Sequence, residues 1–251
     1  MRNSGMTAEE IEEQLKLYDE FTDPNDEHEE EYADLHEQLE NTVGQDEADF
    51  VLALMNQGAN WQGIKDLIEN RLAAGGDPVQ LNDLALKLGL NSGQISAAEI
   101  EAYMARGATL PEEAIYNLAA RGAVDTILDL TSSGTVRSDQ YRHPLVGTNA
   151  IGALIERTTY TPTDHSPDEI AQTISALVKL GLTVTPSHGS YDPMDYVLRH
   201  PRDRNIDIKV AIVEELLRQG AVVTDDHRQS LQEIPDEELR GKLERALVNY
   251  L

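Results

Sequence analysis

Apolar residues recur along this chain at three- and four-residue steps, the spacing of one face of an α-helix. The stretches that carry them close on one short phrase: a hydrophobic residue, two others, then glycine. It stands as Met55-Asn56-Gln57-Gly58, Leu72-Ala73-Ala74-Gly75, Met104-Ala105-Arg106-Gly107, Val178-Lys179-Leu180-Gly181 and Leu217-Arg218-Gln219-Gly220, with a looser copy from Leu130 to Gly134. Glycine there suits a helix C-terminus, where the chain turns left-handed. Helix starts keep the same rhythm. Ser166-Pro167-Asp168-Glu169 offers an N-cap, a proline at N1 and a glutamate at N3, and Asp192-Pro193-Met194-Asp195 and Thr109-Leu110-Pro111-Glu112 resemble it. The predicted unit is a helix pair followed by a glycine-marked turn. The glycines are 17, 32, 27, 47 and 39 residues apart, so the repetition is irregular. The expectation is an all-α solenoid over 46–251 with a C-terminal capping helix. Leu118, Ile127, Ile174, Leu177, Ile212 and Leu216 fall on its buried stripes, and 157–166 reads as an insertion between helices.

The first 45 residues have a different texture. Thr7-Ala8-Glu9-Glu10 is a capping box, and Ile11, Leu15 and Tyr18 follow on one helix face. Asp23-Pro24 ends that helix and can start a second, whose stripe is Tyr32, Leu35, Leu39 and Val43 amid charged residues. Residues 1–45 are therefore expected to form an acidic helical hairpin or cap.

Over roughly 48–226 the residues resemble ankyrin repeats. The run from Asn117 to Leu130 is similar to the middle of that pattern, and Ile212-Val213-Glu214-Glu215-Leu216-Leu217-Arg218-Gln219-Gly220-Ala221 to its end. His143-Pro144-Leu145-Val146 and Asp192-Pro193-Met194-Asp195 resemble its opening, with the first threonine and final histidine replaced. No repeat is complete, so a degenerate ankyrin array and another α-solenoid both fit. One helix pair cannot bury enough apolar surface to offset its ordering entropy, so such pairs stack and share a core. The resemblance implies an elongated surface that binds other proteins.

Composition narrows this reading. The chain has 251 residues and is 40% hydrophobic but only 5% aromatic, with two phenylalanines, which suits close-packed helices better than a β-sandwich. The absence of cysteine excludes disulfides, thiolate nucleophiles and cysteine-ligated zinc, and fits a reducing cytoplasm. The opening MRNSGMTAEEIEEQ has no apolar stretch, so no secretory signal is expected. No uncharged run is long enough to span a bilayer; that from His143 to Ile155 has 13 residues. The formal net charge is −26, of which residues 1–50 carry −16. That field repels phosphate backbones and favours a partner protein with a basic surface; a role in solubility or a salty habitat is the plain alternative.

Motifs for chemistry are wanting. There is no phosphate-cradling glycine loop, no Gly-x-Ser-x-Gly and no His-Glu-x-x-His, and no cofactor is expected. His28 and His36 lie among carboxylates at a spacing poor for a metal, and Glu29-Glu30-Glu31 reads as a solvated face. Asp139, Arg142 and His143 could do acid–base work, but a helix-opening histidine bonded to a neighbouring loop explains His143 better. The expected binding residues lie on the turns between units: Asn60, Trp61, Thr109, Tyr141, His143, His188, Tyr191 and Asp192. Trp61 is the single tryptophan; following Gly58-Ala59-Asn60 it should sit on a turn as an anchor, or else fold back over a helix pair. The function expected is non-enzymatic binding, most concretely an inhibitor that masks a partner's basic surface, in the style of small acidic immunity proteins and phage-encoded inhibitors. A scaffold or host-directed adaptor with incidental acidity is the alternative, and an enzyme on a helical scaffold a distant third.

Overall fold

The computed structural model describes residues 45–58, 60–136, 150–185, 192–198 and 205–248. Among these residues the chain forms twelve α-helices and no strand. They are α1 (Gln45–Met55), α2 (Trp61–Ala73), α3 (Pro78–Ser92), α4 (Ala97–Ala105), α5 (Ala114–Arg121) and α6 (Val124–Ser133). Then come α7 (Ala150–Tyr160), α8 (Pro167–Lys179), α9 (Pro193–Leu198), α10 (Ile206–Arg218), α11 (Asp225–Gln232) and α12 (Glu237–Val248). None of these helices is long and apolar enough to cross a membrane. The hairpin expected over 1–45 falls almost wholly outside the described residues, as do Tyr141, His143, His188 and Tyr191.

The region read as one array divides into two compact units. One holds the described residues up to Ser92 together with Glu99–Leu110, and the other holds Gly93–Ala98 with the chain from Pro111 onward. In the first unit α2 packs against α1 and α3. Its start is capped by Asn60, whose side chain accepts the Gly63 N–H at 3.3 Å. Trp61, Ile64 and Ile68 follow at i, i+3 and i+7 and are all buried.

The second unit repeats itself. Helices α5 and α6, α7 and α8, α9 and α10, and α11 and α12 pack as consecutive pairs. Each of α5, α7, α9 and α11 also packs on the next of that series, and so does each of α6, α8, α10 and α12. Side-chain contacts tie neighbours within a series together. Arg157, near the end of α7, donates to the carbonyl of Arg121 at the end of α5 at 3.4 Å. Lys242 of α12 reaches Asp207, in the first turn of α10, at 3.1 Å. Gln219, at the end of α10, reaches Ser175 of α8 at 3.3 Å. The six residues expected on buried stripes are all fully buried in this unit.

The local signals explain these elements. Ser166 and Glu169 form a reciprocal capping box at the start of α8. Every glycine of the recurring phrase, at 58, 75, 107, 134, 181 and 220, has a positive φ. Gly93 shows another reason for glycine: a Cβ there would lie 2.4 Å from Cβ of Arg121.

Two expectations are corrected. The helix signalled by Thr109-Leu110-Pro111-Glu112 starts later, at Ala114, because the Ala114 N–H first closes a turn onto the Pro111 carbonyl at 3.1 Å. The stretch 157–166 is only partly an insertion, since α7 continues through Tyr160. Thr158 and Thr159 read as polar loop residues, yet they are buried and donate their hydroxyls back to the Leu154 and Ile155 carbonyls at 2.8 and 2.7 Å.

Candidate functional site

In the first unit the expected anchor, Trp61, is the first residue of α2 and only 5% exposed. The expectation of an exposed turn is therefore corrected in favour of the folded-back ring. Trp61 starts the apolar stripe of α2 and is buried on the same face as Ile64 and Ile68. Its ring meets Tyr103 edge to face at 6.1 Å, and its Nε1–H donates to Glu99 at 3.3 Å. Lys65 binds the other oxygen of Glu99 at 2.8 Å and lies 6.0 Å from the indole centroid.

This cluster perturbs its own titrations. The Glu99 hydrogen bond holds the Lys65 ammonium above its ordinary pKa. Burial, followed by the charges of Glu69 and Glu99, raises the Tyr103 phenol. Asn60 is exposed and occupied as a cap, and Thr109 is exposed with its N–H on Asp83 at 2.7 Å. The Trp61 N–H and the Lys65 ammonium both bind Glu99, which ties α2 to the 99–110 segment within the unit.

In the second unit Asp192 is half-buried, and its carboxylate faces two ways. One oxygen accepts the Met194 N–H at 2.9 Å, as a helix-opening aspartate should. The other lies 3.2 Å from Nε2 of His227, which also approaches Asp195 at 3.5 Å. His227 is 2% exposed and occupies the N3 place of a capping box at Thr224, where glutamate or glutamine is usual. The backbone N–H of Thr224 donates to its Nδ1 at 3.1 Å. His227 and Asp195 were not among the expected binding residues. The signal available was Thr224-Asp225-Asp226-His227, a capping-box spacing with histidine in the answering position.

The charged surface of this unit is ordered by its helices. Successive members of the second series carry carboxylates in their first turns: Asp125 in α6, Asp168 and Glu169 in α8, Asp207 in α10, Glu237 and Glu238 in α12. These acids favour the positive helix ends, and Ser166 holds the Glu169 carboxyl below its ordinary pKa through its backbone N–H first and its hydroxyl second. Among the described residues no three histidine, aspartate or glutamate side chains are arranged to hold a metal ion. His28, His36 and the Asp139–His143 group lie outside those residues.

No protein-family model matches the chain, and no curated protein matches it either.

Proposed function

We propose that this chain is an ankyrin-like helical repeat protein that acts by occupying a basic surface of another protein, and that it works by masking that surface rather than by catalysis. The observation that carries the reading is the repetition in the second unit. Four helix pairs pack in two series of neighbours, and the second series brings a first-turn carboxylate from every member. A stack of this kind presents a continuous surface whose length grows with the number of pairs, as extended protein-binding surfaces do. Its charge sets the chemistry of the partner: a net −26 attracts a basic protein and repels nucleic acid. Of the turn residues expected to bind, Asn60, Thr109 and Asp192 remain at the described surface or near it, and Trp61 supports the fold instead.

The test is capture followed by competition. The full chain, immobilised, should retain a protein that is basic on its binding face. That protein's own activity, or its hold on nucleic acid, should disappear at one equivalent of added chain. Retention with the partner's activity intact would point to the scaffold reading. Failure to retain any basic partner would overturn both.

A further inference from the structure

His227 stands where two helix pairs meet, held from opposite sides. On one side its Nδ1 accepts the Thr224 N–H at 3.1 Å, which caps α11. On the other its Nε2 faces Asp192 at 3.2 Å and Asp195 at 3.5 Å, both from the start of α9. The first contact requires a bare Nδ1, so it belongs to the neutral ring with its proton on Nε2. The second strengthens when the ring is charged, because two carboxylates then face an imidazolium. A proton arriving at Nδ1 sets N–H against N–H at Thr224 and breaks the cap, while it converts the contact with α9 into an ion pair.

Other described charged groups on α11 and α12 are engaged elsewhere or exposed. On α11 itself Asp225 is engaged by Arg228 at 2.7 Å, and Asp226 is exposed. On α12, the other helix packed against α11, Leu239, Leu243, Ala246 and Leu247 are buried. Of its charged residues, Arg240 donates to the Ile234 carbonyl at 2.9 Å, and Lys242 pairs with Asp207 and Glu238 at 3.1 and 3.0 Å. Glu237, Glu244 and Arg245 are exposed.

We propose that His227 is a proton-sensitive latch between α9 and α11, in which protonation exchanges the Thr224 cap of α11 for an ion-paired grip on Asp192 and Asp195. The inference does not depend on what the protein binds. It predicts that acidification loosens the first turn of α11 and fastens that helix to its neighbour in the same step.

The experiment follows the His227 ring by NMR across the mildly acidic to neutral range and measures hydrogen-exchange protection at the Thr224 amide in the full chain. Protection should fall about tenfold as the ring takes its proton, the equivalent of one lost capping bond. Asp195→Asn should lower the pH at which both changes occur, since one fewer carboxylate stabilises the charged ring. His227→Gln, which can keep the box and cannot titrate, should hold Thr224 protected throughout. Thr224 protection that stays constant while the ring titrates would overturn the latch. So would a ring that stays neutral over the whole folded range, or a His227→Gln profile that matches the parent.

Discussion

Replacing Trp61 separates the work of its ring from that of its N–H. The side chain is 5% exposed, so Trp61→Ala removes a nearly complete burial together with the edge contact to Tyr103. Truncations of this kind cost about 3–5 kcal/mol. Trp61→Phe keeps most of the ring and loses the bond to Glu99. That carboxylate retains Lys65, and the two side chains are 29% and 24% exposed, so water screens what is lost. The phenylalanine variant should therefore lose only about 1–2 kcal/mol. Because the chain has one tryptophan, the parent supplies a direct check: native emission should be blue-shifted and shielded from acrylamide. Stabilities of the three proteins come from urea unfolding followed by far-UV circular dichroism. Emission like that of free tryptophan with full quenching, or a loss below about 1 kcal/mol in Trp61→Ala, would refute the burial argument and restore Trp61 as a surface anchor.

Leu216, fully buried on α10, should cost about 2–5 kcal/mol as Leu216→Ala, whereas the exposed Val222 should cost under about 0.5 kcal/mol as Val222→Ala; denaturant midpoints distinguish them. Asn205 sits at φ 62° and donates to the Thr158 and Thr161 carbonyls at 2.9 and 3.3 Å, closing the end of α7. Asn205→Gly should lose about 1 kcal/mol for those bonds, and Asn205→Ala about 1 kcal/mol more for the left-handed backbone, as read by thermal unfolding. The Glu169 carboxyl is held low in the folded state, so its contribution is present above the ordinary carboxylate range and is lost as pH falls through the depressed folded value. Thermal midpoints of the parent and Glu169→Gln should accordingly differ at neutral pH and converge in acid. Deleting residues 1–45 should slow association with the partner, and an unchanged dissociation rate would assign that segment to steering and not contact.

Much of the helical pattern was legible because its punctuation is local. A glycine that ends a helix and a serine, proline and glutamate that start one act within four residues, and each of the six phrase glycines and the box at Ser166 proved to be such a signal. The stripes were legible for the same reason, since periodicity alone orients a helix. What escaped depends on contacts distant in sequence or on competition. Thr158 and Thr159 look like loop residues until their hydroxyls are given helix carbonyls. Trp61 follows a turn, but its direction is decided by Tyr103 and Glu99, more than thirty residues away. The His227 pairing with Asp192 spans a similar distance and carries no periodic signature.

The central claim is that acidity draws this chain to a basic surface of another protein, and the association rate tests it most directly. With the captured partner and the full chain, the rate constant should be measured by stopped flow between about 0.05 and 0.5 M salt, where the screening length shortens from beyond 10 Å to a few ångströms. A field set by a net charge of −26 predicts a fall of about tenfold or more across that range. A rate that stays the same at both ends would show that the acidity serves solubility or habitat and would contradict the account.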